Sequence, residues 1–183
     1  MDLTNTALIV VDVQAGFDEP GWGPRNNPDC EANIAALITA WRDAERPVVF
    51  VRHDSVTEGS PLGPDRPGNA LKDVVHGEPD LLVTKNVNSA FFGEPDLHGW
   101  LSDRGATGVA IVGIQTNYCC ETTARMAGNL GYDTLFVIDA THTFDLPAYG
   151  GGTITAAELA RVTATNLQEE FAAVVTTAEL LGS

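Results

Sequence analysis

The chain has 183 residues, 44% of them hydrophobic, and its 10 basic against 25 acidic residues give a net charge of -15 at pH 7. That length supports one well-covered core and is short for two, so a single domain over residues 1–183 is expected. The charge repels phosphate backbones and anionic headgroups, which excludes nucleic acid and membrane surfaces as partners and favours a neutral or cationic small-molecule substrate.

The opening Met1-Asp2-Leu3-Thr4 has neither the basic nor the apolar region of a secretory signal, and no apolar run approaches membrane-spanning length. Three cysteines, two of them adjacent, make a poor disulfide framework. A reducing, cytoplasmic location is therefore expected, with a thiol kept for chemistry.

In chain order, Ala7 to Gln14 is a nearly continuous apolar run interrupted by Asp12, as for a parallel strand covered on both faces. Phe17 to Pro28 is crowded with Gly, Pro and Asn and carries Phe17 and Trp22, so it is expected to be a loop over the site. Ile34, Leu37, Ile38 and Trp41 share one face of a helix from about Glu31 to Ala44, which Pro47 closes off. Val48 to Val51 is a second strand, and Ser55 to Gly77 is an irregular excursion of the kind that carries binding function.

Leu81 to Thr84 is a third strand ending at Lys85, followed by a loop over Asn86 to Gly93. Leu97, Trp100 and Leu101 predict a helix over Asp96 to Arg104, and Val109 to Val112 is a fourth strand. After Gly113, Thr116 or Asn117 offers an N-cap oxygen for a helix running to Leu130. Thr134 to Ile138 is a fifth strand ending at Asp139, Thr141 to Thr153 is a loop, and Thr155 to Leu167 is a helix with Leu159, Val162 and Leu167 inward. Ala172 to Val175 is the last strand, before a short terminal helix. Strands alternating with helices predict an α/β fold of three layers, a six-stranded, mainly parallel, Rossmann-like sheet with helices on both faces.

The pattern puts Cys119 at a strand-to-helix turn. There the first-turn N–H groups and the helix dipole favour a thiolate, and the same N–H groups can receive an oxyanion. Asp12, Lys85 and Cys119 all follow strand ends of one polarity, where open α/β sheets bind ligands, so the three can meet in one crevice. A carboxylate beside a thiol can take its proton, and a lysine beside both supports the ionised forms. Taken singly, Asp12 also suits a turn-former, Lys85 a solvated strand end and Cys119 a packed hydrophobe.

Three motifs carry a resemblance: Leu8-Ile9-Val10-Val11-Asp12-Val13-Gln14, Lys85-Asn86-Val87-Asn88-Ser89-Ala90-Phe91, and Gly113-Ile114-Gln115-Thr116-Asn117-Tyr118-Cys119 followed by Thr123-Ala124. With these, the chain resembles the isochorismatase-like cysteine hydrolases, the superfamily of nicotinamidases, carbamoylsarcosine-type amidases and isochorismatases. The resemblance implies an Asp12-Lys85-Cys119 triad, a cis peptide between Ile114 and Gln115, and an oxyanion hole from the N–H groups of Gln115 and Cys119. It also implies a homo-oligomer, dimer or tetramer.

Cys120 falls where such proteins usually carry an aliphatic residue and is expected to be a packed hydrophobe. Nicotinamidase-like members hold a metal with an Asp-x-His pair and a further histidine, where this chain has Val51-Arg52-His53. A lone His53 is a poor site for a divalent ion, so no metal and no other cofactor is expected. Gln14, Phe17, Trp22, His53, Phe91, Phe92 and Tyr118 are the candidates to wall a substrate pocket.

The chemistry implied is hydrolysis of a carbon–nitrogen bond in a small amide, lactam or ureide. Isochorismate hydrolysis, a vinyl-ether cleavage, needs an acid and no nucleophile, so Cys119 argues against it. A redox or binding module using the Cys119-Cys120 pair would need a strained vicinal disulfide, and no G-x-G-x-x-G follows a strand.

Overall fold

The computed structural model describes residues 2–182; Met1, part of the opening weighed as a signal, and Ser183 lie outside it. Eight strands and five helices follow one another as β1 (Thr6–Val11), α1 (Cys30–Asp43), β2 (Val48–His53), β3 (Leu81–Lys85), α2 (Leu97–Asp103), β4 (Gly108–Ile114), α3 (Glu121–Asn129), β5 (Asp133–His142), β6 (Leu146–Pro147), β7 (Thr153–Ile154), α4 (Ala156–Leu167), β8 (Ala173–Val175) and α5 (Thr177–Leu181). Six strands form one sheet in the order β3-β2-β1-β4-β5-β8, and every pairing in it is parallel. β6 and β7 form a separate small hairpin within the stretch read as a plain loop.

The apolar run of β1 follows from its position. Alternate side chains leave a strand on opposite faces, and both faces here are covered. Leu8 and Val10 join Ile34, Leu37, Ile38 and Trp41 of α1 on one side. Ala7, Ile9 and Val11 join Leu97 and Leu101 of α2, Ala124 and Ala127 of α3 and Leu167 of α4 on the other. Each such Leu or Ile is worth about 2 kcal/mol of burial, and Trp41 adds a hydrogen bond from Nε1 to the Thr6 carbonyl at 2.9 Å. No helix among the described residues is long and apolar enough to cross a membrane.

Two local features differ from the sequence expectation. Val162 on α4 is 51% exposed, because Ala156, Ala160, Thr163 and Leu167 make the buried stripe instead. β5 does not stop at Asp139: pairing with β4 shifts register after Ile111–Phe136 and resumes at Gly113–Thr141, so the strand reaches His142. Within that irregularity Asp139 Oδ1 accepts from the N–H and hydroxyl of Thr177 and caps α5.

The strand order reverses direction at β1, which has β2 on one side and β4 on the other. A crevice opens at the carboxyl ends of strands at such a switch point, and the candidate residues lie along it.

Candidate active site

Asp12 follows β1 in a left-handed conformation, φ 53°, which aspartate tolerates better than most side chains. Its N–H donates to the Val51 carbonyl at 2.9 Å, so the turn is fixed to β2 while the side chain enters the crevice. Lys85 lies two strands away, at the end of β3 and opposite His53 of β2. Strands are about 4.8 Å apart, so a long side chain is needed to span that gap. Lys85 Nζ reaches Asp12 Oδ2 at 2.6 Å, with both side chains almost wholly buried, and comes within 3.2 Å of His53 Nδ1 on the way.

Cys119 comes from the other side of the switch point. Gly113 of β4 has φ 132°, and a Cβ there would stand 2.0 Å from the Val11 carbonyl oxygen, so this approach of β4 to β1 admits only glycine. The Ile114–Gln115 peptide bond that follows is cis. The chain then makes one π-helical turn over Thr116–Cys120 before α3. Neither candidate cap is a cap: Thr116 Oγ1 donates to Thr141 Oγ1 at 3.0 Å, and Asn117 Oδ1 accepts from Thr143 Oγ1. π-turns inserted before a helix recur at functional sites.

A carboxylate oxygen of Asp12, a ring nitrogen of His53 and Cys119 Sγ lie within 4.8 Å of one another. Asp12 Oδ2 is held by Lys85, whereas Oδ1 has no hydrogen-bond partner among the described residues. A buried carboxylate oxygen left without a donor is costly unless a proton is delivered to it.

The ionisation of the thiol differs from the sequence expectation. Burial first, and then the charge of Asp12, push the Cys119 thiol up, with Lys85 opposing them. Burial and Asp12 thus oppose the thiolate that the turn was expected to favour, and Lys85 supports it. Burial works against the charge on Lys85, but Asp12 and Cys119 outweigh it and hold the ammonium above its ordinary value. Burial and then Lys85 push His53 down, so it is a neutral ring.

Of the other candidates, Phe17, Trp22, His53, Gln115 and Tyr118 line a cavity of about 480 Å³ together with Asp12 and Cys119. Gln14, Phe91 and Phe92 do not line it. Gln14 is fully buried; its Oε1 accepts from the His53 N–H at 2.8 Å and its Nε2 donates to the carbonyls of His53 and Asn69, tying β1 to β2. Phe91 stacks on Tyr132 with centroids 5.9 Å apart, and Phe92, 67% exposed, faces a neighbouring depression. Both rings sit on the 3-10 turn Ala90–Phe92, which leaves them out of the cavity lining.

Asn88 and the stretch 55–62, including Glu58, complete the lining and carry no periodic signal in the sequence. Asn69 folds that stretch over the crevice, donating to the carbonyls of His53 and Leu62 and to Asp54 Oδ1. The loop from Phe17 is likewise pinned: Trp22 Nε1 donates to the Gly16 carbonyl at 2.8 Å, and Trp22 packs on Phe17 and Phe144. Beneath it, Glu31 receives Arg25 bidentately at 2.8 and 2.7 Å and Lys72 at 2.9 Å, while Lys72 also reaches Asp18.

A model of the isochorismatase domain matches residues 6–179. The chain belongs to the isochorismatase family. An uncharacterized family member of Bacillus subtilis is 38% identical over 96% of this chain and 94% of its own length. Nicotinamidase 3 of Arabidopsis thaliana is 35% identical over 76% of this chain and 74% of its own. A crystal structure of an isochorismatase-family protein from Chromobacterium violaceum superposes with a TM-score of 0.93 at 34% identity, covering 100% of this chain and 94% of that one.

The metal site of nicotinamidase-like members does not fit the residues of this isochorismatase-family chain. Val51 offers no ligand atom, and Arg52 turns to Asp54 at 3.0 Å. The cluster of Asp12, His53 and Cys119 already has the Lys85 ammonium against two of its members, and that charge repels a dication. Cys120 and Cys30 are fully buried in the core, and all three cysteines are free.

Proposed function

We propose that this protein hydrolyses a carbon–nitrogen bond in a small amide, lactam or ureide through a thioacyl intermediate on Cys119. The observation that carries this reading is the arrangement of Asp12, with Oδ2 locked to Lys85, Oδ1 without a partner among the described residues, and the carboxylate within 4.8 Å of Cys119 Sγ. Asp12 takes the Sγ proton as sulfur bonds to the substrate carbonyl carbon, and the N–H groups of Gln115 and Cys119 receive the oxyanion. The carbon–nitrogen bond breaks as the Asp12 proton passes to the leaving amine. Water then gives a proton to Asp12 and its oxygen to the carbonyl; the carbon–sulfur bond breaks, and the proton returns to Sγ.

A thiol pushed up by burial and by Asp12 suits this cycle, since the base then acts at the moment of attack. Lys85 binds Asp12 through Oδ2 and leaves Oδ1 without a hydrogen-bond partner among the described residues. Relatives named streptothricin hydrolase and ureidoacrylate amidohydrolase, each 32% identical, support amide hydrolysis broadly. Vinyl-ether cleavage would leave Cys119 without a task. We also propose that the protein is a cytoplasmic homo-oligomer, for which a single monomeric species in sedimentation velocity would be contrary evidence.

A panel of primary amides, lactams and ureides assayed beside isochorismate tests the reading. Turnover of at least one carbon–nitrogen substrate, abolished in Cys119→Ala, is expected. Turnover of isochorismate alone, retained in Cys119→Ala, would overturn it.

A further inference from the structure

We infer that the site selects amides carrying a positive charge, and that Glu58 with the aromatic wall receives that charge. This rests on the cysteine-hydrolase reading above and adds the substrate class to it. The first observation is the sign of the lining. Asp12 and Glu58 are carboxylates, His53 is held neutral, and among the described residues no arginine or lysine lines the cavity. Lys85 lies behind it and is matched by Asp12 at 2.6 Å. One carboxylate is therefore left uncompensated, that of Glu58.

The second observation is that Glu58 is exposed and enters none of the ion pairs among the described residues. Of the basic groups on the surrounding loops, Arg52 pairs with Asp54, Arg25 with Glu31, and Lys72 with Asp18 and Glu31, while Arg66, on the same loop as Glu58, is exposed and does not line the cavity. The carboxylate therefore stands at the cavity in no ion pair, and no arginine or lysine among the described residues lines that cavity with it.

The third observation is the aromatic part of the lining. Phe17, Trp22 and Tyr118 line the same cavity; Trp22 donates Nε1 to the Gly16 carbonyl and packs on Phe17 and Phe144, and Tyr118 is 43% exposed. Aromatic faces attract cations through the ring quadrupole, most strongly in a partly desolvated site. A free carboxylate and aromatic rings in one small cavity form a receptor for a protonated or quaternary amine. A carboxylate-bearing substrate would meet the same groups with the wrong sign and find no arginine or free lysine to bind it.

Two measurements test this. The first does not depend on amide turnover: the rates at which Cys119 is modified by methanethiosulfonates carrying trimethylammonium or sulfonate, each divided by its rate with free 2-mercaptoethanol. Cys30 and Cys120 are fully buried, so the accessible thiol is Cys119. The cationic reagent is expected to be the faster, and Glu58→Gln to lower the cation-to-anion ratio by about tenfold, the size of one carboxylate acting on both reagents across a few ångströms of water-filled cavity. Glu58→Lys is expected to invert the ratio. Asp103→Asn, exposed at the end of α2, removes the same net charge and is expected to change it less than twofold.

The second measurement compares kcat/KM for 4-aminobutanamide, pentanamide and succinamate, which share a shape and differ in charge. The order cation, neutral, anion is expected, with the cation-to-neutral ratio falling about threefold in Glu58→Gln, half the logarithmic shift of the thiol-reagent ratio, because only one member of this pair is charged. A reagent ratio equal in Glu58→Gln and wild type, or a preference for succinamate over 4-aminobutanamide, would overturn the inference. Reagent ratios that shift as expected while no amide is ever cleaved would instead sink the hydrolase reading and leave the cation-receiving site standing.

Discussion

Replacing Lys85 with methionine removes the ammonium that holds Asp12 Oδ2 at 2.6 Å and keeps most of the aliphatic stem. Both side chains are almost wholly buried, at 0% and 1% exposure, so solvent cannot take over the vacated partner. An exposed pair of this kind would be worth about 0–1 kcal/mol, whereas breaking a buried one costs about 3–5 kcal/mol, because an uncompensated carboxylate is left inside. Against a typical total stability of about 5–15 kcal/mol, this is a large fraction. The double variant Asp12→Asn/Lys85→Met removes both charges and should recover about 2 kcal/mol or more relative to the sum of the single losses. Urea unfolding near pH 7.5 reads this as shifts in midpoint at constant slope. Turnover should be lost in all three variants, so stability and activity part company in the double variant. A Lys85→Met loss below about 1 kcal/mol, or single losses that simply add, would refute the reasoning.

Three further outcomes are expected. Burial raises the Glu31 carboxyl, but Arg25 and Lys72 outweigh it and hold it at about 2 against an ordinary 4.5. The resulting stabilisation, about 3 kcal/mol, is complete above the unfolded value and fades as pH falls from about 4.5 through about 2. Glu31→Gln should therefore be less stable than wild type at pH 7 and converge with it near pH 2 in chemical denaturation; a gap constant with pH contradicts this. Gly113→Ala would set a Cβ 2.0 Å from the Val11 carbonyl oxygen at φ 132°, so a loss of at least about 3 kcal/mol is expected in thermal unfolding, and a shift in melting temperature of only a degree or two contradicts it. Treatment with a strong chelator should leave amide turnover intact, and stoichiometric metal in the purified protein, lost together with turnover, contradicts that.

The layered parallel fold was legible because β1, β2 and β4 are covered on both faces and must therefore be apolar throughout, a pattern solvent-facing strands lack. Asp12, Lys85 and Cys119 were legible as strand-end residues. That Lys85 spans the end of β2 to reach Asp12 was not, since it depends on the strand order. The π-turn at Thr116–Cys120 hid behind helical spacing, because one turn with an extra residue leaves the apolar pattern after it intact. The continuation of β5 past Asp139 depends on a register shift against β4 that no local propensity encodes. The pocket wall was legible only in part. Phe17 and Trp22 sit on a loop pinned by the Glu31 ion network, whereas Phe91 and Phe92 are equally aromatic and are left out of the lining by a short 3-10 turn. Glu58 lies in the excursion expected to carry binding function and Asn88 in the motif after Lys85, but neither was singled out for the pocket, because Asn69, through hydrogen bonds distant in sequence, holds 55–62 against the crevice.

The most direct test of the central claim, that Asp12 carries the proton for thioacyl chemistry on Cys119, is acid-quenched mass spectrometry during turnover of a cleaved amide, on wild type and Asp12→Asn. The account predicts an acyl adduct on Cys119 in wild type. In Asp12→Asn it predicts an intact but unacylated Cys119 and turnover reduced by at least about 100-fold, the range of a lost general base. Near-normal turnover in Asp12→Asn, or an acyl group on Cys120 or Cys30, would contradict it.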